Sequence, residues 1–158
     1  MTTLPYAATV EVRDRCMCFR TQRAARALAR RFDAALKPFG LTNGQFSLMM
    51  ALNRPEPARL APIADFLGMD RATLTLALKP LVRRDLIAVS VDPKDARGRR
   101  AALTADGHGV LIRALPVWRA EHDRLDAALA TALEGLDPDP ACAKGPPLRV
   151  GLSGLSRT

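Results

Sequence analysis

The sequence predicts a mainly α-helical fold carrying one small β-hairpin, and three observations predict it. Residues 13–39 and 104–133 place apolar side chains three and four positions apart, the repeat of one helix face. Between them, residues 62–84 offer two short helices joined by a glycine-bearing turn. Residues 86–103 then alternate like paired strands on either side of the turn-forming stretch "DPKDARG".

Each element follows from local residues. Over 13–39, Met17, Thr21, Ala25, Leu28, Phe32, Leu36 and Phe39 share one face, so a single long helix is expected, closed by Gly40. "LTNGQFSLMMALN" starts a second helix with Thr42 as N-cap and Gln45 at N3, the reciprocal pair that satisfies free amides. Its Phe46, Leu48, Met49 and Leu52 imply burial on more than one side. Pro62 can open a short helix through Leu67, Gly68 ends it, and Asp70 caps a following helix over 71–84. In that helix Leu74, Leu78 and Leu81 point inward, while Arg71, Thr73, Thr75, Leu76, Lys79 and Arg83 face outward. Pro80 should bend its second half. "LIAVSV" and "RRAAL" make a hairpin with a cationic tip. The last long helix starts near Thr104, runs past Val110, Leu111, Leu115, Trp118, His122, Leu125, Leu129 and Leu133, and is interrupted at Pro116. "GLDPDPACAKGPP" reads as a breaker-rich linker, and the final "LRVGLSGLSRT" as one short helix or a frayed end.

Composition narrows the function. With 158 residues and 48% hydrophobic content, the chain can bury a core. Lys+Arg exceed Asp+Glu by 24 to 16, a net charge of +8 and a pI near 10.4, which favours a polyanionic partner such as nucleic acid. The absence of a bilayer-length apolar run or a leader at "MTTLPYAATVEVRDR" suggests a cytoplasmic protein. Three cysteines suit free thiols, and Cys16-x-Cys18 with a distant Cys142 fits no zinc spacing, so neither metal nor cofactor is expected. The only histidines are His108 and His122, and no GxSxG, HExxH or phosphate-cradling glycine loop occurs, which argues against an enzyme. Two other readings remain: a constitutive architectural DNA-binding protein and a thiol-dependent enzyme built on Cys18 and a histidine.

The stretches "LKPFGLTNGQFSLMMAL", "IADFLGMDRATLTLALKPLVRRDLI" and "VDPKDARGRRAALTADG", in this order between two long helices, resemble the MarR (multiple-antibiotic-resistance repressor) family of winged helix-turn-helix regulators. The most specific part is Asp95 and Arg97 followed by Leu103-Thr104 and Gly107. The resemblance implies a winged helix-turn-helix lobe over 41–104. An N-terminal dimerisation helix over 1–40 and C-terminal dimerisation helices with a Pro-rich linker over 105–158 flank it. It also implies a homodimer on a pseudo-palindromic double-stranded DNA operator, acting as a repressor released by a small aromatic or phenolic effector or by cysteine oxidation. The apolar faces of the two long helices independently exceed what a small lobe can cover. Arg71, Thr73 and Thr75 would enter the major groove, and Arg97 would reach the minor groove. Lys79, Arg83, Arg99 and Arg100 would meet phosphates, and Asp95 would orient a nearby arginine. Asp85 stands where the family usually has a helix-ending glycine, so a strained corner is expected.

The same resemblance suggests Phe19, Arg23, Phe32 and Trp118 as walls of an effector pocket. Cys18-Phe19, at its distance from Gly40-Leu41-Thr42, is similar to the sensing cysteine of the organic-hydroperoxide repressor (OhrR) branch, although Gln22 and Phe32 replace that branch's tyrosines. Cys142 is the candidate resolving thiol. In one unbroken helix Cys18 lies on the apolar stripe, with Cys16 about 200° away around the axis, too far to bond with it.

Overall fold

A computed structural model describes residues 3–134, with side chains to residue 129. The chain forms two compact units, residues 1–121 and 122–158, and the described part of the second is helix alone. In order the elements are α1 (Tyr6–Arg15), α2 (Met17–Leu36), a 3₁₀ turn (Lys37–Phe39) and α3 (Asn43–Ala51). There follow β1 (Ala58–Arg59), α4 (Leu60–Leu67), α5 (Arg71–Arg83), β2 (Ile87–Asp92), β3 (Asp95–Leu103) and α6 (Ala105–Glu134). The fold is mainly α with one small antiparallel sheet, as the sequence predicts. No described helix is long and apolar enough to cross a membrane.

The single helix expected over 13–39 is instead two. α1 begins after Pro5 and stops at Cys16, whose backbone is extended (φ −70°, ψ 108°) and whose amide donates to the Val12 carbonyl. α1 buries no side chain, so no packing holds it in line with α2, and its Thr9, Val10 and Val12 are weak helix formers. α2 ends as the sequence indicates, through the 3₁₀ turn into Gly40 at φ 66°. Of the predicted apolar stripe on α2, Phe32 and Leu36 are buried, whereas Met17 and Leu28 are 68% and 46% exposed.

α3 begins with the expected capping box: Thr42 Oγ1 accepts from the Gln45 amide at 3.2 Å, and Gln45 Oε1 accepts from the Thr42 amide at 3.1 Å. Asp33 adds a carboxylate at this positive helix end by accepting from the Asn43 amide at 2.6 Å. Phe46, Leu48, Met49 and Ala51 are all buried, and the core continues through Ile63, Leu74, Leu78, Leu81, Ile87 and Leu111. Helix α5 runs through Pro80 to Arg83. Burying a leucine stabilises by about 1.5–3 kcal/mol, so Leu74, Leu78 and Leu81 together outweigh the roughly 3 kcal/mol cost of an interior proline. α6 likewise runs through Pro116 without the expected interruption, anchored nearby by buried Leu111 and Ala114.

β2 and β3 pair antiparallel from Ile87↔Leu103 to Asp92↔Asp95, leaving Pro93-Lys94 as the tip. β1, which the sequence does not reveal, joins the far side of β3 through Ala58↔Ala101 and Arg59↔Arg100, giving the order β1-β3-β2. The hairpin leaves the helices at a tight corner. Asp85 adopts the left-handed conformation (φ 54°) expected from its position, and its carbonyl accepts from Thr104 Oγ1 at 2.5 Å. Thr104 Oγ1 in turn accepts from the Gly107 amide at 3.0 Å, and the Leu86 carbonyl accepts from the Thr104 amide at 3.2 Å. A Cβ at position 107 would collide with the Leu86 carbonyl.

Two substitutions at this corner should move stability in opposite directions. Gly107→Ala forces backbone apart and should lower the unfolding free energy by about 3 kcal/mol or more. Asp85→Gly relieves the left-handed penalty while costing chain entropy, so a net gain of about 0.5 kcal/mol is expected. Thermal denaturation followed by circular dichroism measures both.

Candidate nucleic-acid interface

α4 and α5 are held at their turn by two locally coded stops. Gly68 takes the left-handed conformation (φ 64°) that ends α4, and its amide donates back into the helix's last turn. Asp70 then caps α5: Oδ1 accepts from the Thr73 amide at 2.8 Å, and Oδ2 accepts from the Thr73 hydroxyl at 2.7 Å. These bonds, the hydroxyl first and then the amide, hold the Asp70 carboxyl below its ordinary pKa. The Thr75 hydroxyl donates to the Arg71 carbonyl at 2.7 Å. Both threonine hydroxyls therefore spend their proton inside the helix and present acceptor oxygen outward. As predicted, Leu74, Leu78 and Leu81 are buried, while Arg71, Thr73, Thr75, Leu76, Lys79 and Arg83 are exposed.

The wing has an electrostatic centre that sequence reasoning placed elsewhere. Among the described residues Asp95 forms no ion pair with a guanidinium; its Oδ1 accepts from the Arg97 backbone amide at 3.0 Å and shapes the turn. The carboxylate that gathers arginines is Asp92, whose side chain is 2% exposed. Arg59 Nε lies 2.6 Å from its Oδ2 and Arg100 Nε 3.2 Å from its Oδ1, while Oδ1 also accepts from the Lys94 amide at 3.0 Å. The Lys94 amide is the largest cause holding the Asp92 carboxyl below its ordinary pKa, desolvation opposes it, and the two arginines add to the lowering. Arg100, expected among the phosphate ligands, is turned inward: its side chain is 22% exposed, and Nη1 donates to the Pro57 carbonyl at 3.0 Å. Arg99 is exposed and donates to the Ala96 and Gly98 carbonyls.

The α5 N-terminus and the wing meet in one cleft of about 350 Å³, lined by Arg59, Arg71, Thr75, Asp95, Arg97 and Arg99 among others. Five of the nine sequence-predicted DNA-contact residues thus share a concave surface in which four guanidinium groups face a single exposed carboxylate. Lys79 and Arg83 lie further along α5, on an apolar groove of about 400 Å³ with Leu78, Val82 and Val89. Arg59 belongs to the cleft and was not foreseen, because only its pairing with β3 brings it there.

The predicted effector-pocket residues lie on two helices, Phe19, Arg23 and Phe32 on α2 and Trp118 on α6. Arg23 stacks its guanidinium over Phe19, 5.8 Å from the ring centroid, on the exposed side of α2. Phe32 is buried. Trp118 stacks on Phe46 (centroids 5.9 Å apart) and lines a cleft of about 450 Å³ with Met50, Phe66 and Leu115, to which Phe19, Arg23 and Phe32 do not contribute. Cys18 is exposed rather than packed on an apolar stripe, and Cys16 is partly buried at the α1–α2 break; both are free thiols. Cys142 lies outside the described residues.

A family model described as the MarR family matches residues 41–98, from the start of α3 to the wing. The Mycobacterium tuberculosis transcriptional regulator MosR, solved in complex with DNA, is 35% identical. Its alignment covers 77% of this chain and 92% of MosR, at a TM-score of 0.66. The chain belongs to the MarR family. PcaV of Streptomyces coelicolor, at 20% identity and a TM-score of 0.68 over 86% of this chain and 91% of PcaV, shares the fold. The HTH-type regulator SarZ of Staphylococcus aureus is 24% identical over 94 residues, 60% of this chain; the match spans 64% of SarZ's length. In this MarR-family chain the winged lobe is therefore the part that comparison identifies by sequence as well as by shape.

The Asp70 cap has a definite pH signature. Because folding lowers its pKa, its contribution is fully present above the unfolded carboxyl value of about 3.9 and is lost as pH falls through the lower folded value. Asp70→Ala should melt below wild type at neutral pH, and the gap should close in acid; a gap independent of pH would refute the cap's role.

Proposed function

We propose that this MarR-family chain is a DNA-binding transcriptional regulator, a cytoplasmic homodimeric repressor of a pseudo-palindromic operator. The observation that carries the reading is the cleft in which Arg71 and Thr75 of α5 stand beside Arg97 and Arg99 of the wing. A helix N-terminus suited to the major groove and an arginine-tipped hairpin suited to the minor groove are thereby presented together. The complex of the 35%-identical MosR with DNA supports it. Residues 41–104 act as the DNA-binding lobe, and 1–40 with 105–158 as dimerisation segments. Exposed Met17 and Leu28 on α2, with Ile112 at 72% exposure on α6, are apolar surface that a second copy covers.

Release follows one of two signals. The apolar cleft beside Trp118 suits a small aromatic effector. Alternatively an organic hydroperoxide oxidises exposed Cys18 to a sulfenic acid, which Cys142 can resolve as a disulfide with loss of water. The break at Cys16 removes the continuous helix that would keep Cys16 rigidly away from Cys18, so Cys16 becomes a second candidate partner.

Light scattering should give twice 17.1 kDa; a stable folded monomer would count against the dimer. In mobility-shift titrations the DNA upstream of the chain's own gene should bind, with half-sites about one helical turn, roughly 34 Å, apart. Arg97→Ala should cost about 1–3 kcal/mol, and Thr73→Ala should relax half-site preference. Equal affinity for a scrambled duplex would leave the architectural reading. Cumene hydroperoxide should release DNA from wild type but not from Cys18→Ser. Resistance in Cys142→Ser or Cys16→Ser identifies the partner thiol, and no release from wild type leaves the aromatic effector.

A further inference from the structure

The wing holds a buried carboxylate that neither the groove-reading helix nor the predicted wing residues account for. Asp92 closes β2 at a register shift in the sheet, and its neighbours leave no slack: a Cβ on Gly98 would lie 3.1 Å from the Asp92 Cβ. Two guanidinium groups converge on it from different strands, Arg59 from β1 and Arg100 from β3. Their fates differ. Arg100 is turned inward and tied to the Pro57 carbonyl, so it serves the wing's interior. The Arg59 side chain is 50% exposed and lines the same cleft as Arg71, Arg97 and Arg99, with its Nε in an ion pair 2.6 Å from Asp92 Oδ2. A guanidinium has five N–H donors in a plane, so an arginine held by an ion pair at one atom can still present other donors to an anion. Fastening also removes much of the rotamer freedom that a long side chain loses on meeting a ligand.

Resting on the DNA-binding reading above, we propose that Arg59 is a further phosphate-contacting residue of the interface and that buried Asp92 is the positioning residue that aims it. The carboxylate is too enclosed to meet DNA, and with two arginines on it the cluster stays net positive. Its negative charge therefore shapes the site without cancelling it. This assigns the β1 edge, outside both the recognition helix and the hairpin tip, to the footprint.

The probe is a labelled duplex of the DNA upstream of the chain's own gene, titrated by fluorescence anisotropy at several salt concentrations. Arg59→Ala should lower the slope of log affinity against log salt by about 0.9 for each lost phosphate contact, and weaken binding about tenfold per contact near 0.1 M salt. Asp92→Asn makes the protein more positive, so a purely electrostatic effect would tighten binding; the positioning role expects weaker binding. In an Arg59→Ala background, Asp92→Asn should then cost little further affinity. An unchanged slope in Arg59→Ala, with Arg97→Ala still weakening binding, overturns the Arg59 assignment. Equal or tighter binding by Asp92→Asn overturns the positioning role. Wild type that binds no duplex at all overturns the DNA reading itself.

Discussion

The absence of a side chain at Gly107 is the constraint on which the position of the wing depends. Only there can the first turn of α6 approach the Leu86 carbonyl so closely, and that carbonyl is where the chain turns from α5 into β2. Thr104 locks the junction from the other strand, donating its hydroxyl to Asp85 and accepting from Gly107, while its amide reaches Leu86. One short network therefore fixes the end of α5, both roots of the hairpin and the start of α6. The strain of Asp85 at φ 54° is the local cost of this junction. A hairpin without such a root would swing relative to α5, and the arginines on the two elements would not share a concave surface.

Charge is arranged with the same economy. The chain's excess of cations is general, yet what distinguishes the cleft is where carboxylates have been placed. Asp70 lies against the α5 amides, Asp95 against the wing backbone, and Asp92 beneath two arginines. Each is consumed by a hydrogen bond that builds shape. Repulsion among the guanidinium groups is tempered from behind, and the outward surface keeps its positive sign.

Local signals were legible in the sequence and non-local ones were not. The Thr42–Gln45 box, the Gly68 stop, the Asp70 cap and the inward leucines of α5 depend on residues within a few positions of one another, and all stand where the spacing puts them. So does the left-handed corner at Asp85. β1 escaped because a two-residue strand has no period; its existence is decided by β3, some forty residues away. Asp92 and Arg59 escaped for the same reason, and Asp95 was credited with the arginine contact that Asp92 makes. The interruption expected at Pro116 is absent because burial of Leu111 and Ala114 nearby repays a lost amide bond. The break at Cys16 carries no glycine or proline, and the apolar repeat begins only at Met17, just past it, so no local residue signals a stop there.

That break gives the N-terminal region its mechanical character. α2 is tied to the lobe near its C-terminal end: Phe32 and Leu36 enter the core, Arg31 pairs with buried Glu121, and Asp33 holds the α3 amides. Its first turns, where Cys18 and Phe19 sit, are exposed, and α1 beyond Cys16 buries nothing. Few buried contacts mean a low local opening free energy, well below that of the leucine-rich core. The attachment at Phe32–Leu36 lies beside the α3 cap, where Asp33 accepts from the Asn43 amide, so α2 is anchored at the end that meets the lobe.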